Sequence, residues 1–300
     1  MAVFVLLASL SLLAMAQFQK PKLPSYGQMG GVACFGSDVQ ISENGPRVLI
    51  FGGQRQGISG ALWSLEQASG DGYLGMPDGA EGAGPPPAPR TQTTLTSIGT
   101  EPQKAAILFA GFALNIGCVN DVWRCTIGLD AASMPFPTWE KIETSGTTPE
   151  ARYGHSATYL PSKSRIVYFG GQDGLVQFAD LHILDPASGA WTQPSVSGPA
   201  PSPRMQHSAT LVGEKVLLFG GFNKKERCLS DFVMLDLNGD ASSGMWSNIE
   251  AQAPPGTKAI TARSQHSAAA TSDGRYVVIF GGYEGFKSLN DLWIYEVPTR

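Results

Sequence analysis

Short apolar stretches of five to seven residues recur along the chain, and each is bounded by Gly, Pro, Asn or Asp. Four of them close with Phe-Gly-Gly and a fifth closes with Phe-Ala-Gly. Runs of this length, bounded in this way, are typical of β-strands. The five phenylalanines are Phe51, Phe109, Phe169, Phe219 and Phe280, which are 58, 60, 50 and 61 residues apart. The pattern therefore predicts an all-β chain that is built from a repeated unit.

Three further segments recur in register with the Phe-Gly-Gly stretches. One begins with Asp and continues with apolar residues, the next contains a lone Trp, and the last reads Arg-x-x-His-Ser-Ala. Their members are Asp121, Asp180, Asp231 and Asp291; Trp139, Trp191 and Trp246; and the pairs Arg152/His155, Arg204/His207 and Arg263/His266. Each unit thus supplies four short strands. Such a unit cannot bury both of its apolar faces alone, whereas stacking several units around an axis does.

The Gly-Gly pairs, the Trp that follows them and the Arg-x-x-His segments resemble the kelch repeat, over about residues 25–296. The resemblance implies an all-β, kelch-type β-propeller with about five four-stranded blades. The presence of a sixth blade is not excluded, because six or seven blades are usual in the family. Kelch repeats are near 50 residues long. The longer spacings here therefore predict extended loops, chiefly in the Gly- and Pro-rich stretch Gln67–Arg90.

The residue types of the repeat carry structural expectations. Gly-Gly is expected where the chain turns with positive φ and passes close to a neighbour, since a Cβ would block that approach. The large Trp side chains are expected to fill the wedge between adjacent sheets. The recurring Arg and Asp are expected to meet and to hold neighbouring blades together.

The two ends of the chain bear on how the ring closes. The fifth copy stops near Tyr295 without a fourth strand, and the segment before Tyr26 is expected to supply that strand. Residues 1–16 contain the apolar run Val3–Ala16, which ends in a small-x-small sequence. They are therefore either a cleaved signal peptide or the closing strand itself, and residues 17–300 form the kelch β-propeller domain. The protein is secreted or endomembrane in the first case and cytoplasmic in the second.

Composition excludes several classes of protein. The formal net charge of −4 lacks the basic excess of a nucleic-acid binder. No apolar stretch reaches the ~18 residues that an integral membrane span requires. The four cysteines form no Cys-x-x-Cys pair, and the pairing of Cys34, Cys118, Cys125 and Cys228 stays open.

No residue of the chain is expected to be catalytic, to bind a cofactor or to ligate a metal. His155, His207 and His266 share one repeat position, and a residue that recurs in every unit indicates packing. His182 takes the place that Trp123 and Trp293 hold in their own repeats. No two histidines have metal-ligand spacing. The Gly-Gly pairs end strands without opening helices, so they do not indicate nucleotide binding.

The loops between the second and third strands vary while the strands repeat, as binding loops on a scaffold do. Aromatic and Arg side chains are the usual anchors of protein interfaces. The candidates for partner binding are Phe112, Phe222, Lys224, Lys225, Arg227, Tyr283, Phe286 and Lys287. The sequence thus predicts a non-enzymatic scaffold that binds a protein of unknown identity through one propeller face. The alternative is a secreted enzyme or carbohydrate-binding propeller with a kelch or galactose-oxidase-like fold. The oligomeric state is not predicted.

Overall fold

The computed structural model describes the chain in eight stretches of sequence. They are residues 36–42, 45–52, 62–66, 73–75, 85–99, 105–129, 135–250 and 259–297. Apart from a single 3-10 turn at Pro161–Lys163, the regular elements in these stretches are β-strands. The two predictions for residues 1–16, and the loop between the second and third strands of the first unit at residues 54–60, lie outside the described residues.

The strands form five successive sheets. The first contains β1 (Gly36–Ser42), β2 (Gly45–Phe51), β3 (Leu62–Glu66) and β4 (Tyr73–Gly75). The second contains β5 (Arg90–Thr91), β6 (Thr94–Ile98), β7 (Ala105–Ala113), β8 (Gly117–Leu129) and β9 (Pro135–Ile142). The third contains β10 (Ser145–Gly146), β11 (Ser156–Leu160), β12 (Arg165–Phe169), β13 (Leu181–Asp185) and β14 (Ala190–Thr192).

The fourth sheet contains β15 (Ser195–Ser197), β16 (Ser208–Val212), β17 (Lys215–Phe219), β20 (Phe232–Leu237) and β21 (Ser243–Ile249). A two-stranded hairpin, β18 (Phe222–Asn223) and β19 (Arg227–Cys228), lies in its long loop. The fifth sheet contains β22 (Ser267–Ala270), β23 (Tyr276–Tyr283) and β24 (Ser288–Glu296). Within the described residues it has three strands, as the sequence predicts for the last repeat.

The sheets are the blades of a β-propeller. Each has an antiparallel meander of strands as its main part. The Phe-Gly-Gly-type segments lie at the end of its second strand in the first, third and fourth sheets, and at a register shift near the end of that strand, in β7 and β23, in the other two. The first strands of successive meanders, β1, β6, β11, β16 and β22, lie side by side. Equivalent segments therefore occupy equivalent places, which confirms the predicted repeat.

Apolar side chains fill the space between adjacent sheets. Trp139 lies edge-on to Phe51 of the first sheet, with ring centroids 5.2 Å apart. Trp246 lies edge-on to Phe169 of the third sheet at 5.3 Å, and Trp191 packs on Phe109 of the second sheet at 5.0 Å with the two rings tilted. The fourth-strand Trp of each sheet thus covers the second-strand Phe of the sheet before it, which confirms the predicted wedge.

The paired glycines lie where other segments of main chain approach closely, the first from the next sheet and the second from the same sheet. Gly170 has a φ of 69°, and a Cβ there would lie 2.6 Å from the carbonyl oxygen of Arg204, which enters the next sheet. Gly171 has a φ of 91°, and its Cβ would lie 2.9 Å from the carbonyl oxygen of Tyr153. Only glycine combines this backbone conformation with so close an approach.

The recurring Arg and Asp side chains meet in four sheets. The guanidinium groups of Arg152 and Arg204 bind both carboxylate oxygens of Asp180 and Asp231 at 2.6–2.8 Å. Each also donates to the carbonyl oxygen of the first glycine of its own sheet, at 3.0 and 3.1 Å. The same arrangement joins Arg90 to Asp121 and Arg263 to Asp291.

The recurring arginines do link neighbouring blades, but through their main chain and not through the Arg–Asp ion pair. Each ion pair lies within one sheet, and the arginine main chain binds the sheet before it. The N–H of Arg204 donates to the carbonyl of Phe178 at 3.2 Å, and the N–H of Gly171 donates to the carbonyl of Arg204 at 2.8 Å. One residue therefore ties two sheets together, with its backbone on one and its side chain on the other.

The recurring histidines are packing residues, as predicted. Their Nε2 atoms lie 2.8–2.9 Å from a hydroxyl oxygen on the first strand of the preceding sheet. The pairs are His155 with Thr94, His207 with Ser156, and His266 with Ser208. Burial, with the nearby arginines, lowers the pKa of His155 and His266 to about 3 and places that of His207 well below its ordinary value. These imidazoles are neutral in the folded protein at neutral pH.

His182 replaces tryptophan without losing the contact that tryptophan makes. The indole N–H groups of Trp123 and Trp293 donate to the aspartates two residues earlier, Asp121 and Asp291, at 2.6 Å. The Nε2 of His182 lies 2.9 Å from Asp180 in the same way. Burial by itself raises the pKa of Asp180, but the hydrogen bonds from Arg152 and His182 outweigh this and lower it below the ordinary value.

Candidate protein-binding surface

Two sets of loops come together at one end of the sheets, here called the loop face. It comprises the second-to-third-strand loops, residues 112–120, 172–179, 222–230 and 283–290, and the segments that lead into the first strands. Main-chain pairing joins the two sets at Tyr153 with Gln172, Met205 with Phe222, and Ser264 with Tyr283. This pairing places both sets on one face of the propeller.

The inner rim of the loop face is fixed by a chain of main-chain hydrogen bonds. The N–H groups of Gly154, Gln206 and Gln265 donate in turn to the carbonyls of Gln92, Gly154 and Gln206, at 2.7–3.0 Å. All four residues have positive φ, between 53° and 68°. The side chains of Gln206 and Gln92 are also hydrogen-bonded to each other, at 2.9 Å. The entries to four successive sheets are therefore held in fixed relative positions.

The outer loops also contact one another. The Cys118 thiol lies 3.1 Å from the carbonyl oxygen of Asp173 in the next loop, and the Cys228 thiol lies 3.4 Å from that of Tyr283. The side-chain amide nitrogen of Gln177 donates to the carbonyl oxygen of Phe222 at 3.1 Å. Its amide oxygen accepts the N–H of Lys224 at 2.6 Å. The four described loops thus form a continuous surface.

Four of the predicted candidates lie on the second and fifth sheets. Phe112 and Tyr283 lie at strand ends and are 39% and 37% exposed, and the Phe112 ring packs edge-on against Tyr153 at 6.0 Å. Phe286 is 79% exposed. The Nζ of Lys287 lies 3.1 Å from a carboxylate oxygen of Glu284, so its charge is partly neutralised.

The other four candidates lie in the long loop of the fourth sheet. Phe222 is partly buried, and the Arg227 guanidinium lies 5.7 Å from the centre of its ring. Lys224 and Lys225 form the exposed tip of the hairpin. The Asn223 carboxamide oxygen accepts the N–H groups of Lys225 and Glu226, at 2.8 and 3.2 Å, which fixes the tip.

Sequence reasoning missed four exposed aliphatic residues on the same face. They are Leu114, Ile116, Leu175 and Val176, exposed by 42%, 64%, 86% and 54%. Leu114 and Ile116 flank Asn115, and Leu175 and Val176 follow Gly174. The sequence did carry a signal of their exposure. Positions that are buried in the core recur from repeat to repeat, whereas these aliphatic residues have no counterpart at the turns of the other repeats.

The potential metal ligands of the described residues do not cluster. In the described part of the chain, no three His, Cys, Asp or Glu side chains come together as metal ligands would. Cys118, Cys125 and Cys228 are free thiols. The N–H groups of Val176 and Leu175 donate to the Asp173 carboxylate and lower its pKa, so it is charged at neutral pH. No helix in the described stretches has the length and apolar character to cross a membrane.

Comparison with known proteins assigns the family. The family model of the KLHDC2/KLHL20/DRC7 Kelch-repeats domain matches residues 129–300, which is more than half of the chain. The protein belongs to the kelch-repeat family. This agrees with the recurring Phe-Gly-Gly, Arg-x-x-His and Trp residues and with the sheets that they build.

Several larger proteins contain similar sequence. Acyl-CoA-binding domain-containing protein 4 of Arabidopsis thaliana is 28% identical over 67% of this chain and 28% of its own length. Human host cell factor 1 is 28% identical over 84% of this chain and 13% of its own length. Tip elongation aberrant protein 1 of Schizosaccharomyces pombe is 33% identical over 63% of this chain and 16% of its own length. This kelch-repeat chain therefore spans 28% or less of each of these relatives.

Proposed function

We propose that this kelch propeller is a non-enzymatic scaffold that binds a partner protein through its loop face. The observation that carries the proposal is where the exposed apolar side chains lie. Of the ten large apolar side chains exposed in the described part of the chain, seven belong to the loop face. They are Phe112, Leu114, Ile116, Leu175, Val176, Tyr283 and Phe286. An apolar surface concentrated on one face marks an interaction site.

The non-enzymatic part of the proposal rests on how the reactive residue types are used. The histidines of the repeat bind hydroxyl groups between sheets, and the buried arginines bind aspartates and main-chain carbonyls. These side chains are engaged in holding the propeller together. The loop face presents exposed aliphatic and aromatic side chains together with Arg227, and aromatic residues and Arg are enriched at protein interfaces.

Site-specific photo-crosslinking tests the proposal. A p-benzoylphenylalanine replaces Ile116 or Leu175 on the loop face, and in the control it replaces Glu214. Glu214 is exposed in the turn between β16 and β17, at the opposite end of the fourth sheet from the loop face. In extracts of the cells from which the gene comes, we expect the same crosslinked protein from both loop-face positions and none from position 214. Crosslinking to that protein from position 214 alone would contradict the proposal.

A matched substitution completes the test. Ile116→Ser together with Leu175→Ser is expected to abolish capture of the crosslinked partner. The free energy of unfolding should change by no more than about 0.5 kcal/mol for each change, because both side chains are largely exposed. Unimpaired capture by this variant would place the interface elsewhere on the protein.

A further inference from the structure

The loops of the third and fourth sheets place an apolar tip directly against a cationic one. The Lys224 ammonium donates to the carbonyl oxygens of Gly174 and Leu175, at 3.2 and 2.6 Å. Leu175 is the most exposed large apolar residue in the described part of the chain, at 86%. Its neighbour in the sequence, Val176, is 54% exposed. The two tips therefore form one surface, here called the Leu175–Lys224 patch, which comprises Leu175, Val176, Lys224, Lys225 and Arg227.

The positive charge of this patch is only partly compensated. Within the described residues, no carboxylate lies within ion-pair distance of Lys224, Lys225 or Arg227, whereas Lys287 on the neighbouring loop pairs with Glu284. Asp173 faces Lys224 from the third-sheet loop, and Glu226 lies between Lys225 and Arg227 in the sequence. With three cations and these two anions, the patch has a positive balance on a chain of formal net charge −4.

The patch is also held in shape before any partner arrives. The Asp173 carboxylate accepts the N–H groups of Leu175 and Val176, both at 2.7 Å. Asn223 fixes the lysine tip. Gln177 is hydrogen-bonded to the fourth-sheet loop through both its amide nitrogen and its amide oxygen. Preorganised contact groups lose less conformational entropy on binding than mobile ones.

On the basis of the proposed scaffold function, we infer that the Leu175–Lys224 patch recognises an acidic protein segment that carries an apolar side chain between carboxylates. The apolar side chain packs on Leu175 and Val176. The flanking carboxylates face Lys224, Lys225 and Arg227. Charge complementarity of this kind sets partner choice and association rate. A neutral or basic segment would desolvate the same cations without pairing them.

Fluorescence anisotropy with labelled 12-residue peptides tests the inference. The probe repeats Asp-Leu-Asp, and two comparison peptides replace Asp by Asn or by Lys. We expect the folded protein to bind the acidic peptide more tightly than either comparison peptide, and binding to weaken as salt rises. The double change Lys224→Glu and Lys225→Glu should weaken binding of the acidic peptide about tenfold and favour the lysine peptide.

Two further variants separate the contributions. Leu175→Ser should weaken binding of the acidic peptide while leaving its salt dependence unchanged. Lys215→Gln, which removes an exposed lysine at the opposite end of the fourth sheet, should have no effect. Equal binding of the acidic and Asn peptides, or acidic-peptide binding that survives reversal of both lysines, would overturn the inference.

The crosslinking assay distinguishes this result from failure of the scaffold proposal. If the partner still crosslinks at positions 116 and 175 in the Lys224→Glu, Lys225→Glu variant, the loop face binds a protein but the acidic recognition is wrong. If loop-face crosslinking fails while the acidic peptide binds in a charge-dependent manner, the patch is real and the scaffold proposal is wrong.

Discussion

Single residues join the sheets of this propeller, because one residue often makes hydrogen bonds to two sheets. Arg204 is 1% exposed and makes two hydrogen bonds to Asp231 in its own sheet, while its main chain binds the preceding sheet. A buried guanidinium is tolerated only when its charge is paired and its N–H groups are bonded. The recurring Arg and Asp therefore depend on each other.

Removal of one partner of this pair should be costly. Asp231→Ala leaves the Arg204 charge buried without a carboxylate, and we expect the free energy of unfolding to fall by about 3 kcal/mol. The control is Asp236→Ala in the same sheet. Asp236 pairs with Lys215 at 2.8 Å, with both side chains nearly half exposed, so its loss should cost no more than about 1 kcal/mol. Urea denaturation measures both, and equal losses would refute the distinction.

The buried histidines give the stability a dependence on pH. Unfolded, they titrate near pH 6.5, whereas in the fold His155 titrates near 3 and His207 well below 6.5. The unfolded chain therefore binds more protons below pH 6.5. Stability should be constant above that pH and fall as pH decreases, by up to about 1.4 kcal/mol per pH unit for each histidine.

A glutamine variant isolates this effect from that of the aspartates. The side-chain amide of His207→Gln can still reach Ser156 but does not titrate, so the fall in stability between pH 6 and pH 4.5 should be shallower than in the wild type. The ion-paired aspartates titrate at lower pH; Asp291, for example, has its pKa lowered to about 2 by Arg263. Urea denaturation at each pH measures the free energy of unfolding of both proteins. If it falls equally with pH in the two, His207 does not contribute to the pH dependence of stability.

At the scale of the element, the wedge between two sheets depends on one large ring. Trp246 is 4% exposed and lies between the third and fourth sheets, in a core with Val167, Phe169 and Leu218. Trp246→Ala should lower the free energy of unfolding by about 3–5 kcal/mol through the cavity it leaves. Lys225→Ala, on the exposed hairpin tip, should change it by no more than about 0.5 kcal/mol. Thermal denaturation compares the two, and a small effect at Trp246 would show that the core recloses.

How much the sequence could predict depends on whether a position repeats. Phe169, Gly170 and Trp191 recur in register, so their strand positions and packing were predictable. The sheet to which the Arg204 main chain binds was not, because spacing does not show how the loop folds back. Leu175 and Val176 had no counterparts in other repeats to mark them, and their exposure follows from a turn that Asp173 holds. Binding surfaces are predicted less well than cores here because a scaffold repeats its core and varies its loops.

At the scale of the whole molecule, the fifth sheet differs from those before it. Leu181 and Ile183 follow Asp180 on the third strand of the third sheet, and both are buried against the fourth sheet. The equivalent residues of the fifth sheet, Leu292 and Ile294, are 52% and 63% exposed. Within the described residues, no strand pairs with the outer edge of β24. The exposed pair therefore belongs to a face of the fifth sheet that no described sheet covers, and an unpaired edge strand beside such a face invites association with other chains.

The apolar run Val3–Ala16 is the segment that the sequence predicts for this place, unless it is removed as a signal peptide. If it is the closing strand, deletion of residues 2–16 should lower the melting temperature by several degrees and promote aggregation, because the β24 edge is then left bare. The change Leu292→Ser with Ile294→Ser should reduce aggregation of the shortened chain. A mature protein that begins at Gln17, as read by mass spectrometry of the protein from its own cells, would identify the run as a signal peptide. In that case the strand predicted before Tyr26 is expected to form from Gln17–Pro21.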